Sequence, residues 1–261
     1  QYVSSLLIHA PLADQPTTLH VPVLFEKPYV AMTLDWLRRQ GIQLEHDDAL
    51  EHFRIPGGQR YQPVNRAIPG DFSTATFFLA AGALPGNRMR CLGLNMNDTQ
   101  GDKAVVDYLR AMGADITVES DAIITGGVRL EGHEFDLNAT PDALPMMAAL
   151  ACHASGETRL VNVAQARLKE TDRIQVMREE LSRLGADISE REDGLIIRES
   201  ALRGGTVFSH GDHRVAMALA VAATAAEGPV TIDGMEAVSV TYPEFIDHLT
   251  AAGGQVEILE P

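Results

Sequence analysis

The sequence predicts an α/β fold of repeated units, with apolar helices buried inside and sheets outside, and three observations carry that prediction. A helix pattern that stops at glycine and passes into an alternating strand recurs about every 70 residues. A second helix in each unit is apolar on nearly all sides. An aspartate stands just ahead of three of those apolar helices.

The first pattern is Leu34-Asp35-Trp36-Leu37-Arg38-Arg39-Gln40-Gly41-Ile42. It returns as Val106-Asp107-Tyr108-Leu109-Arg110-Ala111-Met112-Gly113-Ala114 and as Glu180-Leu181-Ser182-Arg183-Leu184-Gly185-Ala186. A fourth copy is expected from Ile246 to Ile258, around Gly253. Glycine suits the left-handed position that ends a helix, and the alternation in Ala114-Asp115-Ile116-Thr117-Val118 reads as a half-buried strand. The apolar helices are expected over Ser4–Ala13, Ser73–Leu84, Ala143–Ala154 and Val215–Ala226, each buried all round. Asp71, Asp142 and Asp212 precede three of them. Each can accept the unpaired amides of a first helical turn. The repetition also gathers several helix N-termini in one region, where backbone amides favour a bound anion. Pro69-Gly70 is a plausible hinge, dividing residues 1–69 from residues 70–261, which hold about three repeats.

Composition limits the function classes. A hydrophobic fraction of 45% provides a substantial core. With 21 Lys+Arg against 36 Asp+Glu the net charge is −15, which disfavours nucleic acid and anionic membranes as partners, so an anionic ligand must meet local basic clusters. The longest apolar stretch, Val215–Ala226, is well short of the roughly 20 residues needed to span a bilayer. Cys91 and Cys152 form neither a disulfide framework nor a zinc motif, and read as reduced thiols in a cytoplasm. The chain opens at Gln1 without Met, inside an apolar helical pattern, as a cut end would.

Two clusters carry the chemistry. Arg167-Leu168-Lys169-Glu170-Thr171-Asp172-Arg173 leads into an amphipathic helix, Ile174–Leu184. Local pairing with Thr171 or Asp172 as cap would explain it. The order of charges also sets a proton-transfer carboxylate beside two cations, as an anionic substrate requires. His210-Gly211-Asp212-His213-Arg214 is the second cluster, where Arg214 at a helix start suits a bidentate phosphate or carboxylate. A metal is not expected, because no third ligand at suitable spacing stands near the His/Asp pair.

Lys169-Glu170-Thr171-Asp172-Arg173, then Asp212-His213-Arg214, with Pro141-Asp142-Ala143 and Gly70-Asp71-Phe72-Ser73-Thr74-Ala75 upstream, resemble in order and spacing the motifs of the EPSP synthases. These are 3-phosphoshikimate 1-carboxyvinyltransferases of the enolpyruvyl transferase superfamily, and the resemblance covers essentially the whole chain. It implies an inverse α/β prism of βαβαββ-type units, with residues 1–69 the incomplete last repeat of an N-terminal-type domain. It implies enolpyruvyl transfer from phosphoenolpyruvate to the 5-hydroxyl of shikimate 3-phosphate, with no cofactor and no metal. Asp142 would be the base for the acceptor hydroxyl, Glu170 would handle the proton at the methylene carbon, and Lys169 would lie near both. Arg173 and Arg214 would hold the anionic groups of phosphoenolpyruvate. Gln1, Tyr29, Gln165 and His213 would line the substrates, with Asp71 and Asp212 behind the site. A glycine-rich N-terminal part of the same protein would complete it, so this chain alone is expected to be inactive. Glu26, Gln165 and Val240 depart from the family pattern, which leaves open a different alcohol acceptor. A non-catalytic piece that binds anions or a partner chain is the remaining alternative.

Overall fold

Where the sequence alternates apolar and polar residues it makes strands, and where it is rich in Ala, Leu, Met and Phe it makes buried helices. A computed structural model describes residues 1–259. They form two compact units, one of Gln1–Pro69 with Asn97–Gly101, the other of Gly70–Met96 with the chain from Asp102 onward. Residues 260 and 261, which the expected second domain includes, lie outside the described residues.

The smaller unit runs α1 (Tyr2–His9), β1 (Thr17–His20), α2 (Lys27–Arg39), β2 (Glu45–His46) and β3 (His52–Ile55), with the strands in the order β1-β3-β2. Its core holds Leu7, Leu34, Leu37, Phe53 and Ile55. The expectation that the first apolar helix is buried on all sides fails here. In α1 only Leu7 is buried, while Leu6 and Ile8 are exposed, because α2 covers a single face.

The larger unit begins with α3 (Phe72–Ala83), β4 (Arg88–Leu92), α4 (Val105–Ala111), β5 (Asp115–Val118) and β6 (Ala122–Gly126), its sheet ordered β4-β6-β5. A short strand β7 (Leu130–Glu131) follows, then β8 (Glu134–Asp136), α5 (Leu144–Ala151), β9 (Ala154–Ser155), β10 (Glu157–Val161), α6 (Arg173–Arg183), β11 (Asp187–Arg191) and β12 (Gly194–Arg198). The sheet β11-β12-β10-β8 has β8 parallel to β10 and the rest antiparallel, so β8 through β12 realises the βαβαββ unit. The last repeat is β13 (Arg203–Phe208), α7 (His213–Ala223), β14 (Glu227–Asp233) and α8 (Phe245–Ala251), with β13 and β14 parallel. The strand expected after Gly253 is absent. Val256 and Ile258 are exposed, and residues 254–259 join no ladder, so alternation in sequence does not by itself make a strand.

Helices α3, α5 and α7 pack on one another inside the sheets. Every residue of α5 is buried, and each of Leu144, Met146, Met147 and Leu150 contributes about 1.5–3 kcal/mol on that account. Gly82 lets α3 lie against the sheet, because a Cβ there would run into Thr125 and Met89.

Candidate active site

Three loop-to-helix junctions of the larger unit build the site. Each junction has its own local cause. Thr140 and Pro141 turn the chain into a 3-10 turn, Pro141–Ala143, that carries Asp142 into α5. A second 3-10 turn, Ala164–Leu168, delivers Lys169 and Glu170 to the start of α6, which Asp172 caps by accepting the Gln175 amide at 3.0 Å. At the third, Asp212 caps α7 by accepting the amides of Arg214 and Val215. Asp71 does the same for α3 with Ser73 and Thr74. Asp142 breaks the pattern. It makes no helix cap, because a preceding 3-10 turn directs its carboxylate away from the α5 amides and toward basic side chains.

Arg173 stands at the centre. Its side chain is 1% exposed and its guanidinium meets three carboxylates: Nε to Asp212 Oδ2, Nη1 to Asp142 Oδ1 and Nη2 to Glu170 Oε2, each at 2.7 Å. Nη2 also reaches Asp212 Oδ1 at 3.3 Å, which makes the Asp212 pairing two-pronged. Asp142 collects two further cations, Arg214 Nη2 at 3.1 Å and Lys169 Nζ at 3.8 Å. Asp212 is fully buried, whereas Glu170 is about half exposed. Burial works to raise the Asp142 carboxyl, but the nearby charges of Arg214, Arg173 and Lys169 outweigh it and hold the group below the usual carboxylate range. Burial likewise opposes the charge on Arg173, but the bond to Asp212 and the charges of Asp212, Asp142 and Glu170 together outweigh it and hold the guanidinium above its ordinary value. His213, in the first turn of α7, is buried and held below the usual histidine value by burial and then by Arg214.

The cluster therefore contains three cations, Lys169, Arg173 and Arg214, facing three anions, Asp142, Glu170 and Asp212. An arriving anion competes with Asp142 for Arg214 and Lys169, both of which are partly open to solvent. Arg173 presents its charge rather than an open fork, because its hydrogen bonds are directed at carboxylates. Gln165 donates to the Asn138 carbonyl at 3.0 Å and so ties the Lys169 loop to the segment leading to Asp142.

The remaining sequence-derived residues belong to other elements. Asp71 is an exposed cap of α3. Gln1 and Tyr29 belong to the smaller unit, Gln1 at the start of α1 and Tyr29 half-buried in the first turn of α2. Sequence reasoning assigned no role to Arg167, which braces the site loop. Its Nη1 meets Asp172 Oδ2 at 2.8 Å, Nε the Glu192 carbonyl at 2.9 Å and Nη2 the Arg191 carbonyl at 2.7 Å. Its place at the head of the charged run was the available signal.

A family model described as EPSP synthase (3-phosphoshikimate 1-carboxyvinyltransferase) matches residues 1–249. The 3-phosphoshikimate 1-carboxyvinyltransferase of Acetivibrio thermocellus is 51% identical over 260 residues, covering 100% of this chain and 61% of that protein. That of Ruminiclostridium cellulolyticum is 50% identical over 259 residues, covering 99% and 61%. Among solved structures, an EPSP synthase from Acinetobacter baumannii superposes with a TM-score of 0.85 at 29% identity, over 98% of this chain and 60% of that one. The chain thus spans about three-fifths of the length of the curated relatives it matches.

Proposed function

The chain belongs to the EPSP synthase family, and from that premise we propose that it supplies the phosphoenolpyruvate-handling part of an enolpyruvyl transferase. The reaction is transfer of the enolpyruvyl group from phosphoenolpyruvate to the 5-hydroxyl of shikimate 3-phosphate, with release of phosphate. The observation that carries this reading is one carboxylate, Asp142, ringed by Arg173, Arg214 and Lys169.

The electrostatics suit an addition followed by an elimination. With its cations in contact, Asp142 is a weak base. Phosphoenolpyruvate draws Arg214 and Lys169 toward its own carboxylate and phosphate, and the Asp142 carboxyl then rises toward the value a base needs. The acceptor hydroxyl gives its proton to Asp142 as its oxygen bonds the phosphate-bearing enol carbon, while Glu170 protonates the methylene carbon and Lys169 stabilises the exchange. Phosphate then leaves with the proton held by Asp142, and return of the methyl proton to Glu170 restores the enol double bond. Fixed cations stabilise the charge that develops, and the chemistry calls on no cofactor. Gln1 serves both substrates, Tyr29 and Gln165 the acceptor side, and His213 lines the substrate pocket. Residues 1–69 form the end of an N-terminal-type domain, whose remainder in the longer protein completes the acceptor site. The reduced thiols fit a cytoplasmic enzyme. Burial pushes Cys91 up to about 11 and Cys152 up to about 12, and no helix among the described residues is long and apolar enough to cross a membrane.

The test is phosphate release by the full-length protein in the presence of both substrates. We expect Glu170→Gln and Asp142→Ala to lower kcat by about 10²-fold or more. Undiminished turnover in either variant removes the role assigned to that residue. A second reading, a different alcohol acceptor, is favoured by Glu26, which stands in a left-handed conformation at the start of α2 with φ 57. Strong phosphoenolpyruvate binding without turnover of shikimate 3-phosphate would select it.

A further inference from the structure

Helix α6 grips the turn ahead of α7 at two places. Arg173 holds Asp212, as described, and two helical turns further along the same helix Glu180 reaches the same loop. Glu180 is fully buried, and its carboxylate is outside the proposed chemistry. One oxygen, Oε1, meets His210 Nε2 at 2.8 Å. The other, Oε2, accepts the Phe208 amide at 3.0 Å, with Arg183 Nε at 3.3 Å. A buried carboxylate needs such partners, and here two of them belong to the end of β13 and the turn that follows it.

That turn is strained in a defined way. Asp212 donates its amide to the Ser209 carbonyl at 3.0 Å, and the two residues between, His210 and Gly211, have φ of 54 and 72. Positive φ at both central positions is the mark of a type I′ turn, which glycine adopts freely and a residue with a Cβ adopts at a cost. His210 is thus kept where glycine would be easier, and what it gains there is the bond to Glu180. The turn leads straight into Asp212, His213 and Arg214.

We propose that Glu180 and His210 are positioning residues that set the start of α7, and so aim Arg214 at the anion of the donor substrate. Neither touches the substrate. They act through the turn, much as Arg167 acts on the Lys169 loop. The assignment of Arg214 to phosphoenolpyruvate rests on the function proposed above.

The experiment uses the full-length protein and compares His210→Gly, Glu180→Leu, Glu180→Gln and the double variant His210→Gly with Glu180→Leu. Glycine satisfies the backbone of the turn but cannot reach Glu180, so a purely conformational role predicts no loss in His210→Gly. We expect instead that KM for phosphoenolpyruvate rises about tenfold, with kcat and KM for shikimate 3-phosphate within about twofold of the parent. Glu180→Leu should match it, the double variant should be no worse than either single one, and Glu180→Gln, which keeps an acceptor for Phe208 and a partner for His210, should recover most of the affinity. Amide hydrogen exchange at Arg214 and Val215, read without substrate, should quicken in His210→Gly while the centre of α6 keeps its protection. Unchanged exchange overturns the inference whether or not the protein turns over these substrates. So does an equal rise in KM for both substrates. A parent protein that shows the exchange difference but does not bind phosphoenolpyruvate would instead sink the proposed function and leave the positioning role standing.

Discussion

The starts of α3 and α7 occupy equivalent places in their repeat units, each with an aspartate capping two amides, yet the two aspartates live in opposite surroundings. Asp71 is exposed, and its oxygens go to Ser73 and Thr74 of its own first turn. Asp212 is fully buried and serves both its own helix and the Arg173 guanidinium of the neighbouring one. The repeat supplies the cap in both places. What turns one cap into part of a site is the residue that the adjacent helix brings to it. The same logic separates Asp142, which shares the position but forgoes capping for Arg173, Arg214 and Lys169.

The largest expected effect breaks the comparison on the α7 side. Asp212→Ala removes the cap and leaves the Arg173 guanidinium buried without its two-pronged partner, so unfolding by denaturant should show a loss of about 3–5 kcal/mol. Arg173 keeps Asp142 and Glu170 in that variant, so the double variant with Arg173→Met should lose less than the sum of the two single losses, a coupling energy of about 1 kcal/mol or more. Asp212→Asn keeps an acceptor for the Arg214 amide but not the charge, and should fall between Asp212→Ala and the exposed site. Asp71→Ala should cost only about 1 kcal/mol, the worth of a cap alone. Equal losses for Asp71→Ala and Asp212→Ala in the same denaturation assay would mean that the Arg173 pair contributes nothing.

Much of this contrast was legible beforehand, though unevenly. The glycine-marked repeat, the buried α3, α5 and α7, and the capping by Asp71, Asp172 and Asp212 all follow from local rules, since a helix cap depends on residues two or three apart. The gathering of Asp142, Arg173 and Asp212 was readable because those rules repeat at a fixed period. The places where reading failed depend on neighbours distant in sequence. Nothing near Ser4–Ala13 says that only one face of α1 is covered, and nothing near Val256 says that its segment stays out of the neighbouring sheet. Glu180 sits in a helix pattern that any charged residue could satisfy, and its burial against His210 appears only when β13 and α6 are packed.

The smallest effect sharpens the comparison by charge rather than by stability at neutral pH. Asp142 has its carboxyl held below its ordinary value of 3.8, and burial alone would have raised it, so the cations decide the sign. A carboxyl depressed in the folded state binds its proton later than the unfolded chain does as acid is added. The stability it contributes is therefore present above pH 3.8 and lost as pH falls through the lower folded value. Arg214→Gln removes the largest of the charge contributions that lower it, which shifts the balance toward burial and raises the folded value. Parent and variant should then differ in stability at neutral pH, by about 1 kcal/mol or less for a partly solvated pair, and converge at acid pH where Asp142 is protonated in both. A carbon-detected titration of the Asp142 carboxyl follows the same change directly. An Asp142 value that stays put in Arg214→Gln would show that contact with Arg214 does not set its behaviour.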